Sequence, residues 1–219
     1  MRRLWACLAF LVLLVGTAPA VAQPSPKIYL HGGGAIPQGS DQFSDFYGAG
    51  LHFGGGVGLE FASNFEIILA GRYNGFQTDD DGVVRFLEGR VGPLPNDADV
   101  QVDSESARII GGEVNLKFSS EIAPRLRFYF AGGLGLYHRD LFDVQVSAAL
   151  DGQQDSVDFS TESQAEAVTD PGINFGLGVS AVVAPSVEIY LEPHYTLIFS
   201  STEEDIFFFP IQVGTSFTL

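Results

Sequence analysis

Apolar and polar residues alternate along most of this chain with a period of two, the signature of strands that present one greasy and one polar face. The plainest case is 51–61, where Leu51, Phe53, Gly55, Val57, Leu59 and Phe61 share one side, and His52, Gly54, Gly56, Gly58 and Glu60 the other. The same alternation runs through 65–74, 110–118, 126–137, 173–181, 187–197 and 209–219, and a glycine-rich segment at 27–35 supplies a first strand. Helical spacing is not evident in the rest of the chain, so the pattern predicts an all-β protein of eight strands.

The connections alternate as regularly as the residues do. Tight turns are expected at 62–64, 119–125 and 184–186, and long loops at 36–48, 77–105, 138–170 and 200–206. Short turns at one rim and long loops at the other, joined by an even number of strands, predict a closed antiparallel transmembrane β-barrel with its loops outside the cell. The apolar face must then meet lipid. Glycine fills much of the polar face, which suits a cramped lumen, and the would-be cavity carries Glu, Arg, Lys and Asn, unlike the apolar pocket of a ligand-binding barrel. Aromatic residues collect near the strand ends, with Phe61, Phe65, Phe118, Phe128 and Phe217 towards the turns and Phe76, Tyr137, Tyr195, Phe199 and Phe207 towards the loops. Two such bands are expected to be girdles at the membrane surfaces.

The N-terminus departs from this pattern. Arg2 and Arg3 precede an apolar run over 4–15, and small residues follow to Ala20-Val21-Ala22. That order is a secretory signal peptide, 1–22, too short in its apolar part to be a membrane helix. Cleavage is expected after Ala22, leaving a barrel domain at 23–219. Cys7 lies within the leader, so the exported chain has neither disulfide nor thiolate chemistry.

Charge is lopsided: 27 acidic residues against 11 basic ones give a net charge of −16. Nucleic acid is therefore excluded as a partner. All 15 aspartates fall in the four predicted loops, leaving only glutamate among the acids in the barrel wall. Asp79-Asp80-Asp81 and Glu203-Glu204-Asp205 are the densest acidic runs. They read as solvated loop surface, or alternatively as carboxylates for divalent ions. Asp151-Gly152 is a hairpin-turn dipeptide between Val144-Gln145-Val146 and Val157-Asp158-Phe159, so the fifth and sixth strands are expected to extend as a hairpin beyond the membrane.

Charged residues on the inward face must pair. If the second and third strands pair about Ser63, Glu60 faces Glu66; if the fourth and fifth pair about Ile122, Lys117 faces Arg127. Two acids and two bases then meet near one rim, with Arg72 and Glu113 as a second layer and Glu188 or Glu192 completing an internal ion-pair network. His194 belongs to the same inward phase, as an interior hydrogen-bonding group. A hairpin about Gln42 would also bring His31 near His52, but two histidines fall short of the ligand set of a stable metal site.

The leader, the eight alternating strands and the segments 175–192 and 209–219 resemble the OmpA/OmpX-type and opacity-type eight-stranded outer-membrane barrels over the whole exported chain. That resemblance implies an outer-membrane location and contact with outer-membrane lipids and lipopolysaccharide. It also implies a last strand read by the barrel-insertion machinery through a terminal aromatic; here Phe217 stands two residues before the final Leu219. No peptidoglycan-binding domain is expected after the barrel. An eight-stranded lumen is filled by its own side chains, which favours a monomeric, non-enzymatic structural, adhesive or envelope-stabilising protein without cofactor or metal. The main alternative is an enzyme resembling the lipid A deacylases, with His194-Tyr195-Thr196 and Glu203 or Glu204 in place of a His, Ser and acid. A narrow pore or small-ligand barrel is the other.

Overall fold

The computed structural model describes residues 24–38, 41–62, 64–91, 99–103, 106–140, 145–149, 167–200 and 205–219. The expected signal peptide, 1–22, lies outside the described residues, as do Asp151-Gly152, Glu203 and Glu204. Eight strands close a barrel: β1 (Ser25–Gln38), β2 (Tyr47–Ala62), β3 (Phe65–Thr78), β5 (Ala107–Ala123), β6 (Leu126–Asp140), β8 (Val168–Ala184), β9 (Val187–Ile198) and β10 (Ile206–Thr218). Every neighbouring pair is antiparallel, and β1 pairs with β10 to shut the ring. Closure matters because an unpaired backbone group in hydrocarbon costs several kcal/mol.

The apolar phase faces outward. Leu51, Leu69, Leu134, Leu136 and Val213 are among the most exposed residues of the wall, while Glu66, Arg72, Glu113, Lys117 and Glu192 on the alternate phase are buried. Phe61, Phe65, Phe118, Phe128 and Phe217 form an exposed band at the turn rim, with Phe65 and Phe118 ring centroids 5.0 Å apart. At the loop rim Tyr195 lies 4.9 Å from Phe175 and 6.3 Å from Phe207, and Phe199 is exposed. Phe76 and Tyr137 do not join that band. Both are on the inward phase and fully buried in the lumen, because each stands an even number of residues from the inward Arg72 or Tyr129.

The turns explain the one register that the sequence misplaces. β5 runs on to Ala123, and Pro124-Arg125 makes the turn, with Arg125 in the left-handed region at φ 68°. Proline sets the first turn residue and a positive φ is needed at the second, as in a type II turn. A bulge between Glu121 and Ala123 takes up one residue, so Arg127 pairs with Glu121 and Lys117 with Ala131 rather than with Arg127. Each turn is tied to the next strand: Ser119 N donates to Asn64 O, Val182 N to Arg125 O and Thr218 N to Ser186 O, at 2.8 to 2.9 Å.

The loops hold structure that a search for strands does not anticipate. A short helix α1 (Asp41–Phe46) folds over the barrel mouth, and α2 (Asp80–Val91) follows β3. The aspartate run at 79–81 starts α2. Asp79 Oδ1 accepts from Gly82 N at 3.2 Å as an N-cap, and Asp80 and Asp81 sit in the first turn, where the helix dipole favours negative charge. Beyond the barrel, β4 (Asp99–Asp103) pairs with β7 (Gln145–Ala149) in a separate two-stranded sheet. Gln145 and Val146 pair there with Asp103 and Val102 of the preceding loop; the expected hairpin arm at 157–159 lies outside the described residues. Nor are aspartates confined to loops, since Asp140 closes β6 and Asp170 is buried within β8.

Candidate functional site: the barrel lumen

Four inward tyrosines establish the packing of the lumen. Tyr129, Tyr137 and Tyr190 stand directly across from Gly178, Gly111 and Gly214 on the neighbouring strands. A Cβ at any of these three glycines would collide with the tyrosine ring. Glycine is required there because an eight-stranded ring has room for one large side chain per cross-strand pair, not two. Tyr29, across from Gly56, leans over Gly58, where its ring and the Glu66 carboxylate take the space of a side chain.

Near the turn rim, Lys27 Nζ lies 2.7 Å from Glu60 Oε2 and 3.6 Å from Glu66 Oε2. Glu60 and Glu66 face each other in register, and Glu66 also pairs with Lys117 across β3 and β5. The Tyr29 hydroxyl donates to Glu66 at 2.7 Å and accepts from Lys117 Nζ at 3.2 Å. Lys117 lies over the Tyr129 ring, 4.4 Å from its centroid. Arg127, with a side chain 31% exposed, reaches Glu188 Oε1 at 3.3 Å. The two bases meeting the Glu60–Glu66 pair are therefore Lys27 and Lys117. Arg127 sits four residues nearer the turn than Ala131, which pairs with Lys117, and has a different partner. Lys27 was missed as a site residue although it shares a strand phase with Tyr29 and His31; the glycines of β1 obscure that alternation.

A middle layer surrounds Arg72. Its Nε donates to Glu113 Oε2 at 2.7 Å and its Nη1 to Gln212 Oε1 at 2.9 Å. Glu113 also accepts from Asn115 Nδ2 at 3.0 Å and from the Tyr137 hydroxyl at 2.9 Å. Gln212 Nε2 donates to Glu192 Oε1 at 2.6 Å, which lies 2.8 Å from His194 Nδ1. His52 lies 2.8 Å from Gln212 Oε1 through Nε2 and 2.7 Å from the Asn74 amide through Nδ1. Because Gln212 Oε1 only accepts, a neutral His52 carries its proton on Nε2 and takes an Asn74 N–H at Nδ1, the flipped assignment of that amide. His31 stacks on His52 with centroids 5.2 Å apart. In register His52 pairs with Gly33 and His31 with Gly54, which centres the hairpin between Gln42 and Phe43 and brings the two histidines together as expected. A cavity of about 30 Å³ between the two layers is lined by Tyr29, Lys117, Tyr129 and Glu192 among others. It has room for one water.

Towards the loops the lumen turns apolar. Ala35, Phe43, Tyr47, Phe76, Ala107, Ile109, Tyr137, Ile198, Ile206 and Phe208 form one buried cluster. Phe43, delivered by α1, packs edge-on against Phe76 at 5.2 Å, and Phe76 against Phe208 at 5.5 Å. Arg139 and Asp170, 2.6 Å apart and buried, add an ion pair between β6 and β8. His194 and Thr196 are both buried on the inward phase, so the His-Tyr-Thr run presents only Tyr195 on the outer face. Among the described residues, no group of three or more His, Asp or Glu side chains is arranged to hold a metal ion. No described helix is long and apolar enough to cross a membrane; the strands are the spanning elements.

A family model described as the outer membrane protein beta-barrel domain matches residues 8–218. Among solved structures, Neisserial surface protein A is similar with a TM-score of 0.54 at 14% identity, covering 92% of this chain and 100% of that one. A major outer membrane protein from Thermus thermophilus is similar with a TM-score of 0.50 at 10% identity, covering 89% of this chain and 99% of the other. At such identities the likeness is one of fold. No curated protein sequence matches this chain.

Proposed function

We propose, from the premise that this chain belongs to the outer membrane protein beta-barrel domain family and resides in the outer membrane, that it is a sealed, non-enzymatic structural barrel whose external loops make its contacts. The observation that carries this reading is the apolar cluster at the loop mouth. Phe43, Phe76 and Phe208 interlock above a lumen already filled by tyrosines and ion pairs. Ions crossing such a barrel would have to shed water into a dry aromatic layer, which is costly for any charge. The charged lumen groups are engaged in cross-strand pairing, which joins β1, β2, β3, β5, β6, β9 and β10. His194 serves in this reading as a hydrogen-bonding partner of Glu192.

The outer wall takes outer-membrane lipids and lipopolysaccharide as its solvent, and the barrel acts as a monomer. β10, with Phe217 near its end, is the element read by the insertion machinery. The long acidic loops supply the adhesive or envelope-stabilising contacts. Two measurements test this reading. Planar-bilayer recording of the folded chain should give no stepwise conductance, whereas a Phe43→Ser/Phe208→Ser variant, with the mouth unplugged, should leak. The lipid A mass spectrum of cells should be the same with and without the protein. Discrete conductance from the unaltered chain, or a changed lipid A, would refute the sealed structural barrel.

A further inference from the structure

The lipid-facing wall is not uniformly smooth. Near the turns, Leu126, Ala181, Ile189 and Thr215 form one outward row across β6, β8, β9 and β10, and Phe128, Val179, Leu191 and Val213 form the next. Ala181 has the shortest side chain in either row. Around it lies a groove of about 230 Å³, lined on the outer face by Leu126, Val179, Ile189, Leu191 and Val213. Ser180 and Tyr190, whose side chains are buried in the lumen, contribute backbone to its floor. Every side chain that faces into the groove is apolar.

The groove begins at the membrane surface. Leu126 is the first residue of β6, directly after the Pro124-Arg125 turn. Phe128 and Phe217, both of the turn-rim aromatic band, stand on its β6 and β10 sides. Such bands mark the headgroup level. The groove therefore lies in the leaflet on the turn side, the periplasmic one, with one end open to the headgroups.

Arg125 stands at that end. Its carbonyl accepts from Val182 N at 2.8 Å, which fixes it beside the residue that follows Ala181. Its side chain is exposed, and no described residue forms an ion pair with it. The other charges of this turn belong to the lumen phase: Glu121 and Arg127 face each other in register, and Arg127 is engaged by Glu188 at 3.3 Å. Arg125 is the cation that the turn offers to the membrane surface.

We infer that the groove holds one acyl chain of an inner-leaflet phospholipid with an anionic headgroup, and that Arg125 meets its phosphate. Lipid tails are as apolar as leucine, so a chain settles on the wall where packing is better, not where water is expelled. A concave surface gives each methylene more close contacts than a convex one. The phosphate adds a charge-assisted hydrogen bond to the guanidinium. On a chain of net charge −16, an anionic headgroup is retained only where a cation is presented locally. A second copy of the barrel brings a convex wall, which cannot enter a recess centred on one alanine. The inference rests on the turn rim facing the periplasm and is independent of whether the lumen is sealed.

The full chain is refolded into detergent and mixed with equal amounts of phosphatidylglycerol and phosphatidylethanolamine bearing the same acyl chains. Native mass spectrometry counts the lipids that survive removal of the detergent. One phosphatidylglycerol should be retained, in about fivefold excess over phosphatidylethanolamine, as for one cation at an anionic lipid surface. Arg125→Gln should abolish that preference, and Ala181→Phe, which fills the groove from its floor, should abolish retention of either lipid. The unaltered chain is also cross-linked to phosphatidylglycerol carrying a diazirine on its acyl chain, so the position is read even where a variant fails to fold. Cross-links should concentrate at 126, 179–181 and 189–191. Equal retention of the two lipids, or a preference that survives Arg125→Gln, overturns the inference. So do retention unaffected by Ala181→Phe, cross-links spread evenly round the wall, and a dimer of barrels in place of the lipid adduct.

Discussion

Glu60 and Glu66 stand directly opposite one another on β2 and β3, two inward carboxylates in register. Like charges so placed repel, and in a lumen with little water they cannot be solvated apart. Lys27, from β1, makes the arrangement tolerable by reaching both. The first strand is thereby fastened to the third across the intervening one.

Lys27→Met should therefore destabilise the barrel by about 3 kcal/mol, because two facing carboxylates lose the cation they share. Adding Glu60→Gln to it should recover part of that loss by removing one of them. Urea titration of the refolded barrel, read by gel mobility, measures both.

Burial separates the two arginines of the network. Arg72 is buried at 2.7 Å from Glu113, whereas Arg127 has a side chain 31% exposed and lies 3.3 Å from Glu188. Arg72→Met should cost about 3 to 5 kcal/mol, since Glu113 would remain charged and unpaired in the lumen. Arg127→Ala should cost about 1 kcal/mol or less, as for a solvated rim pair. Similar losses for the two variants would contradict this placement.

Glycines on opposite faces of the wall should behave oppositely. Gly178→Ala drives a methyl into the Tyr129 ring and should cost about 1 to 3 kcal/mol by overpacking. Gly112→Ala faces lipid with open space around it and should be neutral or stabilise by about 0.5 kcal/mol, through a less flexible unfolded chain. Comparing the two urea midpoints tests which face is the lumen.

Much of the architecture was legible because alternation is a local property. Leu51 to Phe61 already displays two chemically distinct faces, and the in-register Glu60–Glu66 pair follows from a tight turn at 62–64. The Arg72–Glu113 contact was legible too, since both residues share the inward phase of adjacent strands. Lys27 escaped notice because Gly32, Gly33 and Gly34 blur the alternation of β1. The partners Tyr29, Tyr137 and Gln212 escaped because a tyrosine or glutamine on a polar face carries no sign of which carboxylate it will meet. The helical start at Asp79 was hidden inside an acidic run that resembles any solvated loop.

The order of residues, taken alone, determined that the strands are two-faced, that their polar side must be enclosed and that their apolar side must meet lipid, since side-chain direction in a strand depends only on odd or even position. Tertiary structure alone decided which inward residues touch. Arg127 moved off Lys117 when the β5–β6 turn centred near Pro124 instead of Ile122, a displacement that keeps every residue on its face and so leaves no trace in the alternation. Phe76 and Tyr137 went inside for the complementary reason: their phase placed them in the lumen, but only closure of the ring, with α1 folded over its mouth, brought Phe43 and Phe208 to meet them.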